Sequence, residues 1–132
     1  MNPQNKWLKV VGFVLNALIA AMILFAGASK VFAPAGFEEP MKKIGLEDRI
    51  LLIGCGELIT AILLLIPWTS PLGTLLASGF WGGVICIHMA HHEDFIVPSV
   101  LLAVTWFGSC LRGSVPLLAL RSGPIMAQRH SI

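Results

Sequence analysis

The stretch ILLIGCGELITAILLLI at residues 50–66 decides the fold. It is apolar at almost every position, and its length falls within the range of about 17–25 residues found for membrane-spanning helices. Glu57 lies inside this stretch, where an ionised carboxylate costs roughly 2.5 kcal/mol or more on insertion scales. Such a group needs a partner or a proton, so Glu57 is the first candidate functional residue.

The composition of the whole chain indicates a membrane protein. Apolar residues make up 56% of its 132 positions, only 12% are charged, and the mean hydropathy is +0.83. Little of this length remains for a soluble domain once hydrophobic spans are removed. The net charge of +2 is spread over both ends and one connection, without a basic stripe, so we expect no nucleic-acid partner.

Hydropathy and helix-breaking residues predict four spans within one membrane domain, residues 1–132. These spans cover residues 8–28, 50–66, 72–89 and 95–111, and residues 113–132 are expected to form an interfacial or disordered tail. Backbone groups must be paired in lipid, and no strand-like alternation is present, so the predicted fold is all-α, an integral membrane four-helix bundle. Small residues are expected to mark close helix contacts: Ala17, Ala20, Ala21, Gly54, Gly56, Gly79, Gly82 and Gly83.

Basic residues give a weak orientation for this topology. Four crossings place both termini on one side, with Lys6, Lys9, Arg112, Arg121 and Arg129, against Lys30, Lys42, Lys43 and Arg49 in the first connection. The excess predicts that both termini of this multi-pass protein lie in the cytoplasm. In the first connection, residues 37–46 are expected to form a short interfacial helix with Pro40 in its first turn.

Three polar residues are predicted to meet at the same side of the membrane. Lys30 ends the first span, His88 ends the third, and Glu57 lies roughly 10 Å inside the second at the helical rise. We therefore expect Glu57 and His88 to approach within a hydrogen bond or one intervening water. An equally weighted alternative is a structural Glu57, bonded to Thr60, Asn16 or a backbone group to hold helices together.

A cavity in the outer half of the bundle is predicted beside this polar trio. Its expected aromatic and apolar walls are Phe80, Trp81, Met89 and Trp106. Aromatic walls with a polar end would suit an amphipathic ring compound. The predicted ligand-binding residues are Lys30, Glu57, Trp81, His88 and Trp106, with Glu57 and His88 as hypothetical catalytic residues.

The histidines and the cysteines could form a metal site or a redox site, but we expect neither. His88, His91 and His92 are spaced so that two imidazoles could chelate one ion, but no second His or Cys cluster completes a tetrahedral set, and we expect no metal. The three cysteines fall inside spans without a CxxC pair and are expected to be small buried hydrophobic residues: Cys55, Cys86 and Cys110.

The ordered motifs of this chain resemble the DoxX-like family of small membrane proteins, in particular its short bacterial branch. The resemblance rests on Gly27-Ala-Ser-Lys30-Val, Gly54-Cys-Gly-Glu57-Leu, Leu65-Ile-Pro67, Leu72-Gly73, Gly82-Gly83-Val-Ile-Cys-Ile-His88, Trp106-Phe-Gly108 and Leu111-Arg112. It implies a four-helix inner-membrane protein in which Lys30, Glu57 and His88 match the polar pattern. The turn at Pro67 departs from the pattern by lacking an arginine, and the pair His91-His92 is additional.

Three functions remain open from the sequence. The first is binding of a small amphipathic molecule such as a lipid or a quinone, the candidate cofactor, in the cavity around Glu57 and His88. The second is a scaffold or assembly chaperone that holds a membrane-protein partner, or a second copy of this chain, through small-residue faces. The third is an enzyme, either a membrane oxidoreductase subunit or a proton-transfer enzyme using Glu57 and His88. We favour binding within the lipid bilayer over catalysis.

Overall fold

A computed structural model describes residues 3–113, and all regular structure in this range is helical. The α-helices are α1 (Pro3–Phe32), α2 (Glu38–Lys43), α3 (Ile50–Leu65), α4 (Ser70–Ala90) and α5 (Ile96–Arg112). Two 3₁₀ turns, Pro34–Phe37 and Glu47–Arg49, flank α2. The predicted all-α class is confirmed. The predicted tail lies beyond residue 113, outside the described residues.

The four long helices pack in neighbouring pairs. Helix α1 contacts α3 and α5, and α4 contacts the same two helices. Each of the four overlaps one segment predicted as a span. Helices α1 and α4 are long and apolar enough to cross a membrane. At 16 and 17 residues, α3 and α5 lie at the lower limit of the range of about 17–25 residues found for spans, so four crossings stay a prediction.

The distribution of polarity differs from that in a soluble protein. Large apolar side chains of α1 point outward, with Phe25 77% and Leu18 61% exposed, while Asn16 and Lys30 on the same helix are buried. Thr74 and Ser109 are also fully buried. An apolar exterior around buried polar groups indicates a surface solvated by lipid chains.

Local signals explain where the helices begin and end. Helix α1 stops one residue before Ala33-Pro34, and α3 stops just before Pro67, because a residue preceding proline disfavours the helical conformation. Helix α2 ends where Gly45 takes a left-handed φ of 69°. The amide of Gly45 donates to the Lys42 carbonyl, and that of Leu46 donates to the Met41 carbonyl. This pattern is a Schellman cap.

The first connection contains the helix expected over the end of the bundle. Helix α2 has Pro40 in its first turn, Glu38 and Glu39 at its start, and Lys42 and Lys43 at its end. That charge order complements the helix dipole. The observed helix therefore agrees with the expected one in position and in the placement of Pro40.

Glycines mark close helix contacts, but at different positions from most of those predicted. A Cβ added to Gly27 on α1 would lie 2.9 Å from the Gly54 carbonyl oxygen on α3. A Cβ on Gly12 would lie 2.6 Å from the Gly108 carbonyl oxygen on α5. These two pairs allow the backbones of neighbouring helices to approach. The prediction for Gly54 is confirmed.

The prediction was wrong for the other glycines that were expected to mark helix contacts. A Cβ added at any of four positions would meet nothing within 4 Å: Gly56, Gly79, Gly82 and Gly83. Among the alanines, Ala20 is buried in the core, whereas Ala21 is exposed. The cysteines were also misassigned, because all three are exposed on the outer surface of the helices, where an apolar thiol can contact lipid.

Candidate functional site: an ion pair beside an apolar cavity

A buried ion pair joins the first and third helices. The Lys30 Nζ donates to Oε1 of Glu57 at 2.7 Å and to Oε2 at 2.8 Å. Both residues are nearly excluded from the surface, with 6% of Lys30 and 3% of Glu57 exposed. The carboxylate in the apolar stretch is therefore balanced by an opposite charge. Short contacts to both carboxylate oxygens are the geometry that a buried pair needs if its attraction is to offset the lost hydration.

The helix contact around Gly27 places the two charges together. Gly27 lies one turn before Lys30, and a Cβ at Gly27 would lie 2.9 Å from the Glu57 Cβ. Gly54 lies one turn before Glu57, and its own missing Cβ would lie 3.0 Å from the Lys30 Cβ. The close backbone contact thus lets a lysine and a carboxylate meet directly across two helices.

The alternative partners predicted for Glu57 are engaged elsewhere. Thr60 donates its hydroxyl to the Gly56 carbonyl at 2.7 Å. Asn16 Nδ2 donates to Ser109 Oγ at 3.0 Å, in a separate buried network. In that network Ser109 also bonds Thr74 Oγ1 at 2.7 Å, which links α1, α4 and α5. Glu57 is therefore not part of the neutral hydrogen-bond network that links those helices.

A cavity of about 400 Å³ lies beside the ion pair, between α3, α4 and the first connection. We call it the first cavity. Lys30, Glu57 and His88 line it, so the structure brings the predicted polar trio to a common space. Its other lining residues are glycine or apolar: Met41, Ile44, Leu46, Ile53, Gly79, Phe80, Gly83, Val84 and Ile87. The first cavity therefore has a few polar groups and otherwise hydrocarbon walls.

His88 shares the first cavity with Glu57, but no direct hydrogen bond between them occurs in the described residues. Its Nδ1 donates to the Asp94 carbonyl at 2.9 Å and lies 3.6 Å from Oε2 of Glu93. Because the Asp94 carbonyl occupies Nδ1, Nε2 is the ring nitrogen available to a ligand. His88 is thus positioned by the loop between α4 and α5 instead of by Glu57.

The two predicted tryptophans do not line the first cavity. Trp81 is buried in the helix core with Ile23, Leu64 and Ala77, and its ring lies edge-on to Phe80 with centroids 4.9 Å apart. Trp106 donates its Nε1 to Ser78 Oγ at 2.8 Å. Both indoles therefore serve helix packing here. Phe80 is the predicted aromatic residue that does line the cavity, and Met89 does not.

His88 and His91, near the end of α4, are each bonded to a backbone carbonyl. His91 Nδ1 donates to the Ile87 carbonyl at 2.9 Å, which turns that ring back onto its own helix. Within residues 3–113, no group of three or more His, Cys, Asp or Glu side chains is placed to hold a metal ion.

Several cavity residues were missed by the sequence reasoning, although a periodic signal was present. On α4 the lining residues recur in adjacent pairs every four positions: Gly79 and Phe80, Gly83 and Val84, Ile87 and His88. Residues four apart lie on the same helix face. Counting back from His88 in steps of four could therefore have identified this face from the sequence. Ile53 lies four residues before Glu57 by the same rule. The closing residues Met41, Ile44 and Leu46 had no comparable signal.

A comparison with sequence models of protein families gives a match. The sequence model of the DoxX-like family matches residues 14–108, which covers well over half of the chain and includes all three polar residues. No curated protein and no solved structure gives a significant match.

Proposed function

This chain belongs to the DoxX-like family, and we propose that it is an inner-membrane protein that binds a small amphipathic molecule beside Lys30 and Glu57. A quinone or a lipid of similar shape is the proposed ligand. Its polar end would face Lys30, Glu57 and His88, and its apolar part would contact Phe80 and Val84. Both termini are proposed to lie in the cytoplasm.

The observation that carries this proposal is a buried ion pair that lines an otherwise apolar cavity. Two charges in an apolar setting lose much of their hydration energy, and their attraction does not always compensate for the loss. A pair needed only for helix packing can be enclosed completely. Here the pair borders a space of about 400 Å³, which is within the usual range of about 300–1,000 Å³ for ligand pockets.

The ion pair leaves a defined hydrogen-bonding capacity for a ligand. An ammonium group has three N–H donors, and Lys30 directs two of them to Glu57. The remaining donor suits a carbonyl or other oxygen acceptor. The ring of Phe37 lies 5.2 Å from Lys30 Nζ and supports the charge from another side. A quinone carbonyl has the required acceptor.

Charge balance favours a neutral ligand head. Lys30 and Glu57 cancel each other's formal charge, so the pair exerts little net attraction on a distant ion. A strongly charged head would also have to lose its hydration on entering the apolar cavity. These two effects support a neutral carbonyl-bearing head over a charged phospholipid head.

The glycines first assigned to scaffolding support the binding function instead. Gly79 and Gly83 line the first cavity, and a Cβ at either position would meet nothing within 4 Å. They leave space rather than bring a helix close. The enzyme alternative requires proton exchange that involves Glu57 and His88, and no hydrogen bond joins these two residues in the described part of the chain. Ligand binding is therefore the function that the geometry favours.

The proposal is tested by ligand-dependent thermal unfolding of the purified protein in detergent micelles. A decyl-chain quinone analogue should raise the melting temperature of the wild type, because a ligand that binds only the folded state stabilises it. Gly83→Leu should fill the cavity without a clash at its Cβ and remove the shift. The double variant Lys30→Met with Glu57→Leu should reduce it by removing the polar end.

Gly82→Leu is the matched control. Gly82 is on the same helix and is equally open at its Cβ, but does not line the first cavity, so the shift should persist in this variant. Equal shifts in Gly83→Leu and Gly82→Leu, or no shift in the wild type, would reject the proposed site. Loss of a copurifying membrane partner in Gly83→Leu, without any ligand response, would favour the scaffold.

A further inference from the structure

A second cavity lies next to the first along α3 and α4. It has a volume of about 360 Å³ and shares Ile53, Glu57 and Phe80 with the first cavity. It extends beyond them to Ile59 on α3 and Leu76 on α4. The side chains of Glu57 and Phe80 therefore border both spaces.

The two cavities differ in chemistry. The first contains an ammonium, a carboxylate and an imidazole, whereas the second adds only the hydroxyl of Thr60 to the shared Glu57. That hydroxyl already donates to the Gly56 carbonyl at 2.7 Å. Ile59 is 55% exposed and Leu76 is 41% exposed, so the second cavity opens to the lipid side of the helices. It can accept hydrocarbon directly from the bilayer.

The combined length suits an extended chain attached to a polar head. His88 marks the far end of the first cavity, and Leu76 marks the far end of the second. At about 1.5 Å per residue, these two positions are about 18 Å apart along α4. A ring or other compact head would occupy only the first part of that distance.

We infer that one ligand occupies both cavities, with its neutral head beside Lys30 and a single long hydrocarbon chain past Phe80 in the second cavity. This inference rests on the proposed function and specifies the ligand class as a single-chain amphiphile. Phe80 lies at the junction and determines where the head ends and the chain begins. Gly56 lines the second cavity, and a Cβ there would meet nothing within 4 Å. The absence of a side chain at Gly56 therefore leaves room for the hydrocarbon chain.

Binding should therefore strengthen with chain length. Lipid tails are themselves apolar, so transfer of the chain from the bilayer gains little from the hydrophobic effect. The gain comes from packing against fixed walls, which provides dispersion contacts along the chain. The shape of the second cavity, more than its polarity, is expected to decide which chains bind.

The test is a series of quinone analogues that share one ring and carry no chain, a butyl chain or a decyl chain. In the wild type, the rise in melting temperature should grow along the series. Gly56→Leu should keep the rise given by the chainless analogue but lose the growth with chain length, because the leucine fills only the second cavity. Gly82→Leu, which lines neither cavity, should behave as the wild type.

The variants also separate binding from partition into micelles, since every variant meets the same micelles. Growth with chain length that survives in Gly56→Leu would overturn the inference, as would a wild-type response that does not depend on the chain. Either result leaves the proposed function standing if Gly83→Leu still abolishes the response. A wild type that responds to no analogue overturns both.

Discussion

Two sets of glycines in this protein do opposite things. Gly12 and Gly27 on α1 contact the backbones of α5 and α3, where an added Cβ would overlap neighbouring atoms. Gly56 on α3 and Gly79 and Gly83 on α4 face open space and line two cavities. Glycine therefore allows close helix packing at some positions and leaves space for a cavity at others. Which of the two applies depends on whether a neighbouring helix lies against that position.

The buried polar groups show a parallel contrast. Asn16, Thr74 and Ser109 form neutral hydrogen bonds that link three helices. Lys30 and Glu57 carry formal charges and border the first cavity. The neutral groups bond to one another and border no described cavity, whereas the charged pair joins two helices and also borders the first cavity, which supports a ligand site. The following predictions test this division.

The largest expected effect is on the ion pair. Glu57→Leu alone should lower the free energy of unfolding by about 3–5 kcal/mol, because it leaves the Lys30 ammonium buried without a partner. Unfolding in mixed micelles measures this loss. Adding Lys30→Met to the same variant should recover most of it, since both charges are then absent. Failure of the double variant to recover stability would show that the lysine and the glutamate act independently.

A smaller loss is expected at the close helix contact. Gly27→Ala places a Cβ against the Gly54 carbonyl oxygen, a backbone atom that cannot rotate away. The free energy of unfolding should fall by about 1–3 kcal/mol, the usual cost of overpacking. The same unfolding assay applies. A neutral effect would mean that α1 and α3 lie farther apart than described.

The smallest effect is expected on the cavity side. Gly83→Ala adds a methyl group in open space and improves helix propensity, so stability should be unchanged or rise by up to about 1 kcal/mol. It is the matched comparison for Gly27→Ala, since both change a helical glycine by one carbon. If both variants lost the same stability, the contrast between closed and open glycines would not hold.

The sequence predicted the helical class and the polar trio because both depend on local information. A carboxylate in an apolar stretch must be paired, and helix ends place Lys30 and His88 near the same side. The choice of Lys30 over Thr60 or Asn16 as the partner of Glu57 could not be made from the sequence alone. It depends on the rotation of α1 against α3, which the contact between Gly27 and Gly54 sets in three dimensions.

Helix rotation also explains why Trp81 does not line the first cavity although its neighbour Phe80 does. Phe80 and Trp81 are adjacent in the chain, yet Phe80 lines the cavity and Trp81 lies in the core. Successive residues on a helix point about 100° apart, so one position separates two different environments. Helix α4 is apolar on several faces, and its hydrophobic pattern therefore does not show which face meets α3.

The most direct test of ligand binding between α3 and α4 is to identify the residues that a bound ligand contacts. A photoreactive decyl-chain quinone can be crosslinked to the wild type in lipid nanodiscs, and the modified residues identified by mass spectrometry. The account predicts labelling on α3 and α4 near Ile53, Phe80 and Val84, reduced by excess unreactive analogue and absent in Gly83→Leu. Labelling confined to the outer face of α1 or α5, or labelling that excess analogue does not reduce, would contradict it.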